Sequence, residues 1–578
     1  MPRRARALLL AAGLAAGCGV VSPQTPPSER TASPPRPAAT AAPAGATAPA
    51  VGSRGMVSSA HPLATRAGLE VLAAGGNAFD AAVAIAATLN VVEPEMSGLG
   101  GYGTILVYDA SEGRSWFLNP SGRIPRGVRP DAYRPPTPGY LENRIGAKSV
   151  STPGNLHAWK AMSERWGALP WARLFAPAVR AARGGFPLGA RTAEALAGAF
   201  AAMPEPARAV FGRGGRPLAA GEPLVQEDLA RTFEAIAAGG PEVFYSGAVA
   251  RAIDRAMREA DGFLALADLE ADRAEWWEPI SIRYRGHEVV SASPPANTFD
   301  MLVRLGIMSR FDVAALGHNS ADHLHRFAEA TKHGFWVRLA HAGDPEVDPP
   351  PLARLLSEDY WEEQARGIDP ARAKPFVPPG GDPEAAAGAG AASHTTHFVV
   401  ADAAGNVVSA TQTLGNLFGS RIMPAGTGVW LNNSLAYCTF EPAGNPMDAH
   451  PGRRKLSGDC PTFVLRDGRP WIALGTPGGH TIGQTVPQMV MNLLDFGMDV
   501  ARALAAPRVS FAEPDLLLVE EGIPQAVREE LARRGHRLEP RPRLGNAHAL
   551  TVERGADGRP LRFTGAADPR GEGLAEGY

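Results

Sequence analysis

The feature that most constrains this chain is an abrupt change of texture before residue 395. Residues 375–394 open with Pro-Phe-Val-Pro-Pro-Gly-Gly-Asp-Pro-Glu and continue in Ala and Gly to Ser393-His394. Such a run has little apolar surface to offset its ordering entropy, so it reads as exposed linker that tolerates a break. It flows directly into Thr395-Thr-His-Phe-Val-Val-Ala-Asp402, a β-rich segment. Turn chemistry follows at Ala403-Ala-Gly-Asn406, and Val407-Val-Ser-Ala-Thr-Gln-Thr-Leu414 returns as a second strand. A hairpin therefore starts where a floppy linker ends. Many hairpins follow loops, but this order is also what an N-terminal-threonine enzyme needs. A threonine hydroxyl is a weak nucleophile without a neighbouring base. Cutting the chain before the threonine supplies one, because an α-amine has a pKa near 8.

The remaining pattern is mixed α/β. Residues 62–74 read as a helix stopped by Gly75-Gly76-Asn77. Asp80 to Leu89 is apolar on nearly every side and should be a buried helix. A glycine-rich loop at 93–103 leads to a strand at 104–108; it lacks the Gly-Lys-Ser/Thr ending of a phosphate loop. Residues 150–345 read as mostly helical. Leu324, Phe327, Ala328, Thr331 and Phe335 form one stripe, with Glu329 and Lys332 on an expected solvated face. Trp471–Gly475 reads as a strand, Thr476–Gly479 as a turn and Gln484–Leu494 as a helix.

The first residues read as targeting signal. Arg3, Arg4 and Arg6 precede an apolar run at 7–16, too short to span a bilayer comfortably, which ends in Leu14-Ala-Ala-Gly-Cys18. This resembles a bacterial lipobox with Cys18 as the lipidated residue; an ordinary cleaved signal with an incidental cysteine is the alternative. Residues 19–54 read as a tether, since 22–50 contain no Leu, Ile, Val or aromatic residue. The expected location is a bacterial cell envelope, periplasmic or extracellular, with the membrane touched only through the lipid. Cys438 and Cys460 could pair in that oxidising setting or remain separate buried thiols. A formal net charge of −2 gives no basic excess for nucleic acid. There is no Gly-x-Ser-x-Gly elbow, and the 14 histidines are scattered along the chain, so neither a serine hydrolase nor a metal enzyme is indicated. No cofactor is expected.

Several motifs resemble the γ-glutamyltranspeptidase family. They include Gly55-Met-Val-Ser-Ser-Ala-His-Pro62, Met96-Ser-Gly-Leu-Gly-Gly101, Thr395–Asn406, Thr411-Gln-Thr-Leu414, Gly428–Asn433, Gly475-Thr-Pro-Gly-Gly479, Ala506-Pro-Arg508 and Ala567-Asp-Pro-Arg570. The resemblance covers nearly all of 55–578. It implies a four-layer αββα sandwich of the N-terminal-nucleophile hydrolase type. It also implies a precursor cut between His394 and Thr395 into a large subunit, 55–394, and a small catalytic one, 395–578. Thr395 would be the nucleophile and Thr413 its hydrogen-bonding partner. The N–H groups of Gly478 and Gly479 would form the oxyanion hole, and Ser457 would hold a substrate carboxylate. Without the resemblance, Thr413 reads as an ordinary strand residue, the glycines as a turn and Ser457 as a loop serine.

Four departures concern the substrate. Ser121 stands at the family arginine that grips the glutamyl α-carboxylate, with Arg123 two residues on as a possible substitute. Gly415 stands at a family asparagine, with Asn416 beside it. Tyr437 replaces the aspartate that pairs with the α-ammonium, and Gly458 replaces the second of two serines. The reading is a γ-glutamyltransferase-type hydrolase or acyltransferase acting on a γ-glutamyl or related small amide. The alternatives are a cephalosporin-acylase-like or oxamate-amidohydrolase-like enzyme, or an inactive ligand-binding lipoprotein.

Overall fold

The computed structural model describes residues 48–134, 142–379, 394–438, 440 and 443–578. Cys18, the tether up to residue 47 and linker residues 380–393 lie outside them.

Two seven-stranded antiparallel sheets form the centre. The first runs Leu574–Gly577, Gly55–Ser59, His394–Asp402, Val407–Gly415, Tyr102–Asp109, Arg114–Asn119, Glu275–Trp277. The second runs Ala50–Gly52, Pro560–Ala567, His548–Arg554, Arg469–Gly475, Thr462–Arg466, His287–Ser291, Ile280–Tyr284. Side chains alternate across a strand, so each strand serves two cores. Val399 and Ala401 meet Phe463, Ala473 and Leu550 between the sheets. Phe398 and Val400 point the other way, into a core shared with the helices Pro62–Ala73 and Ala78–Val92. Val464, Ile472 and Leu474 pack outward against the helices Thr298–Met308, Ala321–His341 and Ile482–Leu494. Helix, sheet, sheet, helix is the four-layer αββα sandwich.

The expected helices, the strand at 104–108 and the 395–414 hairpin are all present. Asn77, read as a stop, is also the N-cap of the next helix, which it starts with Asp80 in a reciprocal capping box. That helix is buried on every side. Three features differ from the sequence reading. Strands interrupt the helical stretch at 275–277, 280–284 and 287–291. Arg285 and Gly286, both at positive φ, turn the last two into a hairpin. Residues 50–52 pair as an edge strand, which takes only backbone and leaves no side-chain signal. Glu329 and Lys332 are buried rather than solvated. Residues 374–376 and the 509–541 region close over their face: Lys374 N–H donates to Glu329 at 3.1 Å, and Lys332 sits 3.2 Å from Asp515. Cys438 and Cys460 are free thiols in different cores, Cys438 beside Tyr133 and Phe440 and Cys460 on the outer face of the second sheet.

Two arginine motifs noted in the sequence meet in one buried network. Arg508 contacts Asp568 at 2.7 Å with both side chains nearly inaccessible, and Arg570 binds Asp568 at 3.0 Å and Glu520 at 2.5 Å. Glu520 also accepts from the Leu544 N–H at 2.6 Å, and Asp568 from the Ala547 N–H at 3.0 Å. The network thus fixes the 544–547 backbone. Removing one partner of a buried pair strands the other charge, at a cost of about 3–5 kcal/mol. Asp568→Ala is expected to lose that much in urea unfolding; a loss within error of zero would show that the network does not hold this end of the sandwich.

Candidate active site

Thr395 opens the central hairpin strand and is 3% exposed. It faces Thr413 across the pair, and a register shift falls between His394 and Thr395. The neighbouring strand Gly55–Ser59 pairs with this one only at Phe398–Asp402, so the first stretch of backbone at 394–397 has no strand on that side. The Thr413 hydroxyl joins three groups. It accepts from the Gly415 N–H at 2.8 Å and from Thr395 Oγ1 at 3.2 Å, and it donates to the His394 carbonyl at 2.8 Å. One hydroxyl therefore orients the Thr395 oxygen and polarises the carbonyl next to it. His397, two residues on, anchors the strand: Nδ1 lies 2.8 Å from Thr411 Oγ1, and its ring fills the space a side chain at Gly475 would need.

A cavity of about 430 Å³ opens at Thr395, walled by residues 477–481, 511–513 and 541–546, with Glu93, Met96, Arg191 and Phe335. Gly478 lines it and Gly479 is buried just behind. Gly478 has φ +137°, and a Cβ there would sit 2.3 Å from Thr481 Oγ1, so only glycine fits. Among the described residues neither Gly478 nor Gly479 donates its N–H to another group. Two free backbone donors beside a buried hydroxyl can stabilise negative charge that develops on an oxygen placed between them.

The rim is cationic. Arg191, Arg541 and Arg543 line it, and burial with Arg191 and Arg543 nearby lowers the His394 imidazole to about 4. The acids of the wall offset this charge only partly, because burial pushes Glu93 and Glu513 up to about 7. Glu93 accepts from Thr396 Oγ1 at 2.7 Å. Behind the wall, buried Arg338 donates to His480 Nδ1, while its Nε and Nη2 have no hydrogen-bond partner among the described residues. Tyr437 stands edge-on to His480 at 5.4 Å.

Thr395, Thr413, Gly478, Gly479 and His394 thus come together. None of the expected substrate residues Arg123, Ser457 and Asn416 lines this cavity. Arg123 lies in a separate cleft, 3.1 Å from Glu346 and 3.5 Å from Glu275. It bridges to the Arg454 backbone, which turns its side chain to that cleft. Ser457 is buried between Thr104 and Asp459, which it meets at 3.0 Å. Gly458, beside it, packs on Gly479, and a Cβ added there would lie 3.3 Å from the Gly479 carbonyl oxygen. Asn416 is held through its N–H on Asn433 Oδ1 at 2.8 Å. Gly415, at φ +100°, has no room for a side chain, since a Cβ would lie 2.1 Å from that same oxygen. Arg191, Arg541, Arg543 and Arg338 do not announce themselves in the sequence, because isolated arginines carry no periodic or spacing signal.

Residues 64–578 match the family model described as Gamma-glutamyltranspeptidase. The chain is 37% identical to the Acylase ACY 1 proenzyme of Pseudomonas sp. (strain SE83), over 90% of this chain and 93% of that protein. It is 34% identical to the glutathione hydrolase proenzyme of Bacillus subtilis (strain 168), over 91% and 92%. The crystal structure of cephalosporin acylase from Bacillus halodurans superposes with a TM-score of 0.84 at 28% identity, covering 95% of this chain and 99% of that one.

Glu95 gives the site region a pH signature. It is 1% exposed, accepts from Thr192 Oγ1 at 2.8 Å, and is pushed from 4.5 to about 8 by burial, with Glu93 adding to the rise. Between those values the native chain keeps a proton that the unfolded chain has released. Its stabilisation is complete below pH 4.5 and is lost as pH rises toward 8, at about 1.4 kcal/mol per pH unit. Glu95→Gln should remove this slope from urea unfolding measured across that range; an unchanged slope would assign the titration elsewhere.

Proposed function

The chain belongs to the γ-glutamyltranspeptidase family, and from that premise we propose that it is cut at the His394–Thr395 bond and acts through the N-terminal threonine so created. It is a self-processing enzyme that hydrolyses small amides or transfers their acyl groups, made as a proenzyme that becomes two chains. The observation that carries the assignment is the Thr413 hydroxyl bonded to both the Thr395 oxygen and the His394 carbonyl.

In maturation the Thr395 oxygen attacks the His394 carbonyl carbon. The C–N bond to Thr395 breaks, leaving an ester on the side chain and a free α-amine. Water then hydrolyses the ester, so the first chain ends in the His394 carboxylate. In turnover the α-amine takes the hydroxyl proton as the oxygen attacks a substrate carbonyl. The N–H groups of Gly478 and Gly479 receive the oxyanion, the proton passes to the leaving amine, and the acyl-enzyme is discharged to water or to an amine.

The substrate class follows from charge. The arginines of the rim favour an acyl donor that carries a carboxylate, a γ-glutamyl group or a related acid. A second reading, an acylase on a non-glutamyl acid amide, is favoured by Ser121 and Tyr437. A full α-amino-acid head group has two charges to pair, and neither of these residues is ionic. Export through residues 1–18 and an anchor on Cys18 in a bacterial envelope complete the proposal. They rest on the charged, apolar and small-residue order of that segment; a Cys18→Ser protein that stayed in the membrane fraction would sink the anchor.

On a denaturing gel the wild type should give two chains, the smaller beginning at Thr395 by N-terminal sequencing, while Thr395→Ala gives one. Thr413→Val should slow cleavage by about 10²-fold or more, as loss of a donor to a developing oxyanion does. A single uncut wild-type chain that is still active would overturn the mechanism. With processed enzyme, γ-glutamyl and glutaryl amides should be cleaved far faster than the uncharged pentanoyl amide. Preference for glutaryl over γ-glutamyl selects the second reading, and equal rates on the uncharged amide would remove the role given to the arginines.

A further inference from the structure

The sequence spreads its histidines widely, yet the fold gathers two of them with a carboxylate far from Thr395. His325 and Glu329 are one turn apart on the Ala321–His341 helix, and His536 reaches them from the far end of the chain. One ligand atom from each lies within 4.8 Å of the other two. His325 and His536 are buried.

The hydrogen bonds fix which atoms are free to bind. His325 Nε2 lies 2.7 Å from the Asp369 carbonyl, which can only accept, so that nitrogen carries the proton. His325 Nδ1 is then a bare lone pair, and it points at His536 Nε2, 2.8 Å away. A histidine whose far nitrogen donates to a backbone carbonyl is oriented as metal-binding imidazoles are. Glu329 Oε2 accepts the Lys374 N–H at 3.1 Å, while Oε1 meets only the Lys332 ammonium, at 3.2 Å, among the described residues.

We propose that His325, Glu329 and His536 form a binding site for a divalent transition-metal ion of the zinc class. Two imidazoles and a carboxylate are a donor set that zinc favours, with bonds of about 2.0–2.2 Å. Ligands on one tetrahedral ion stand about 3.3 Å apart at those lengths. The imidazoles therefore separate by about half an ångström, and the His536 proton moves from Nε2 to Nδ1. Lys332, 3.2 Å from Glu329 Oε1, is the nearby cation that opposes the ion. It keeps other partners when Glu329 turns to the metal: Asp515 at 3.2 Å and the Lys374 carbonyl at 2.7 Å.

The site joins the helix to the segment that runs through Leu538–Arg541 into the cavity wall at 541–546. If cleavage falls at 394–395, it also links the two chains; metal binding itself does not depend on that cleavage. Full-length protein freed of metal with a chelator is titrated with zinc alone. The wild type should retain one equivalent through gel filtration, melt at a higher temperature with it, and lose it on His536→Ala or Glu329→Gln. Cobalt should give the visible spectrum of a four-coordinate site in the wild type only. No retained zinc in the wild type, or equal retention in both folded variants, overturns the site. Should the variants not fold, zinc-edge absorption of the wild type decides: imidazole scattering supports the site and its absence refutes it.

Discussion

Everything at the site depends on the hairpin strand that begins at Thr395 being locked in the middle of a sheet. Its backbone is paired with Val407–Gly415 on one side along nearly its whole length and with Gly55–Ser59 on the other from Phe398 onward. A strand held this way keeps its place if the peptide bond before it is broken, because the ladder and not the covalent link carries it. Both sheets also interleave strands from before and after residue 394. Two chains made by a cut there could not separate without unzipping both sheets and opening the core between them and the cores on their outer faces.

The same placement explains why the site is buried yet reachable. Pairing on the Gly55–Ser59 side stops before residue 397, so the strand end projects past its neighbour into the cavity. The far wall is held independently. Glu520, gripped by Arg570, takes the Leu544 N–H, and Asp568, gripped by Arg508, takes the Ala547 N–H. Substrate would meet a nucleophile fixed by one sheet and a wall fixed by a charged network outside it.

What the sequence made legible was whatever depends on local order. The hairpin strand at 395–402 and the Ala403–Asn406 turn carry their reason in consecutive residues, and both fall where that reason predicts. What it hid depends on cover from distant segments. Glu329 and Lys332 have the spacing of a solvated face, and only the arrival of Lys374 and Asp515 buries them. Arg123 is two residues from Ser121, but its backbone pairing with Arg454 sends it to the carboxylates of another cleft. His536 is more than two hundred positions from His325, so no spacing rule connects them. Cys438 and Cys460 bracket a Pro- and Gly-rich loop that looks easy to close, yet each thiol is drawn into a different apolar core.

The charge around the cavity links the fold to its substrate. Arg191, Arg541 and Arg543 concentrate positive charge at the mouth, while Ser121 and Tyr437 are uncharged and do not line the cavity. A cation at a wet rim attracts acids broadly, whereas a buried ion pair reads one geometry. The geometry of Thr395 and of the Gly478 backbone does not depend on those arginines, since it is set by the strand and by glycine.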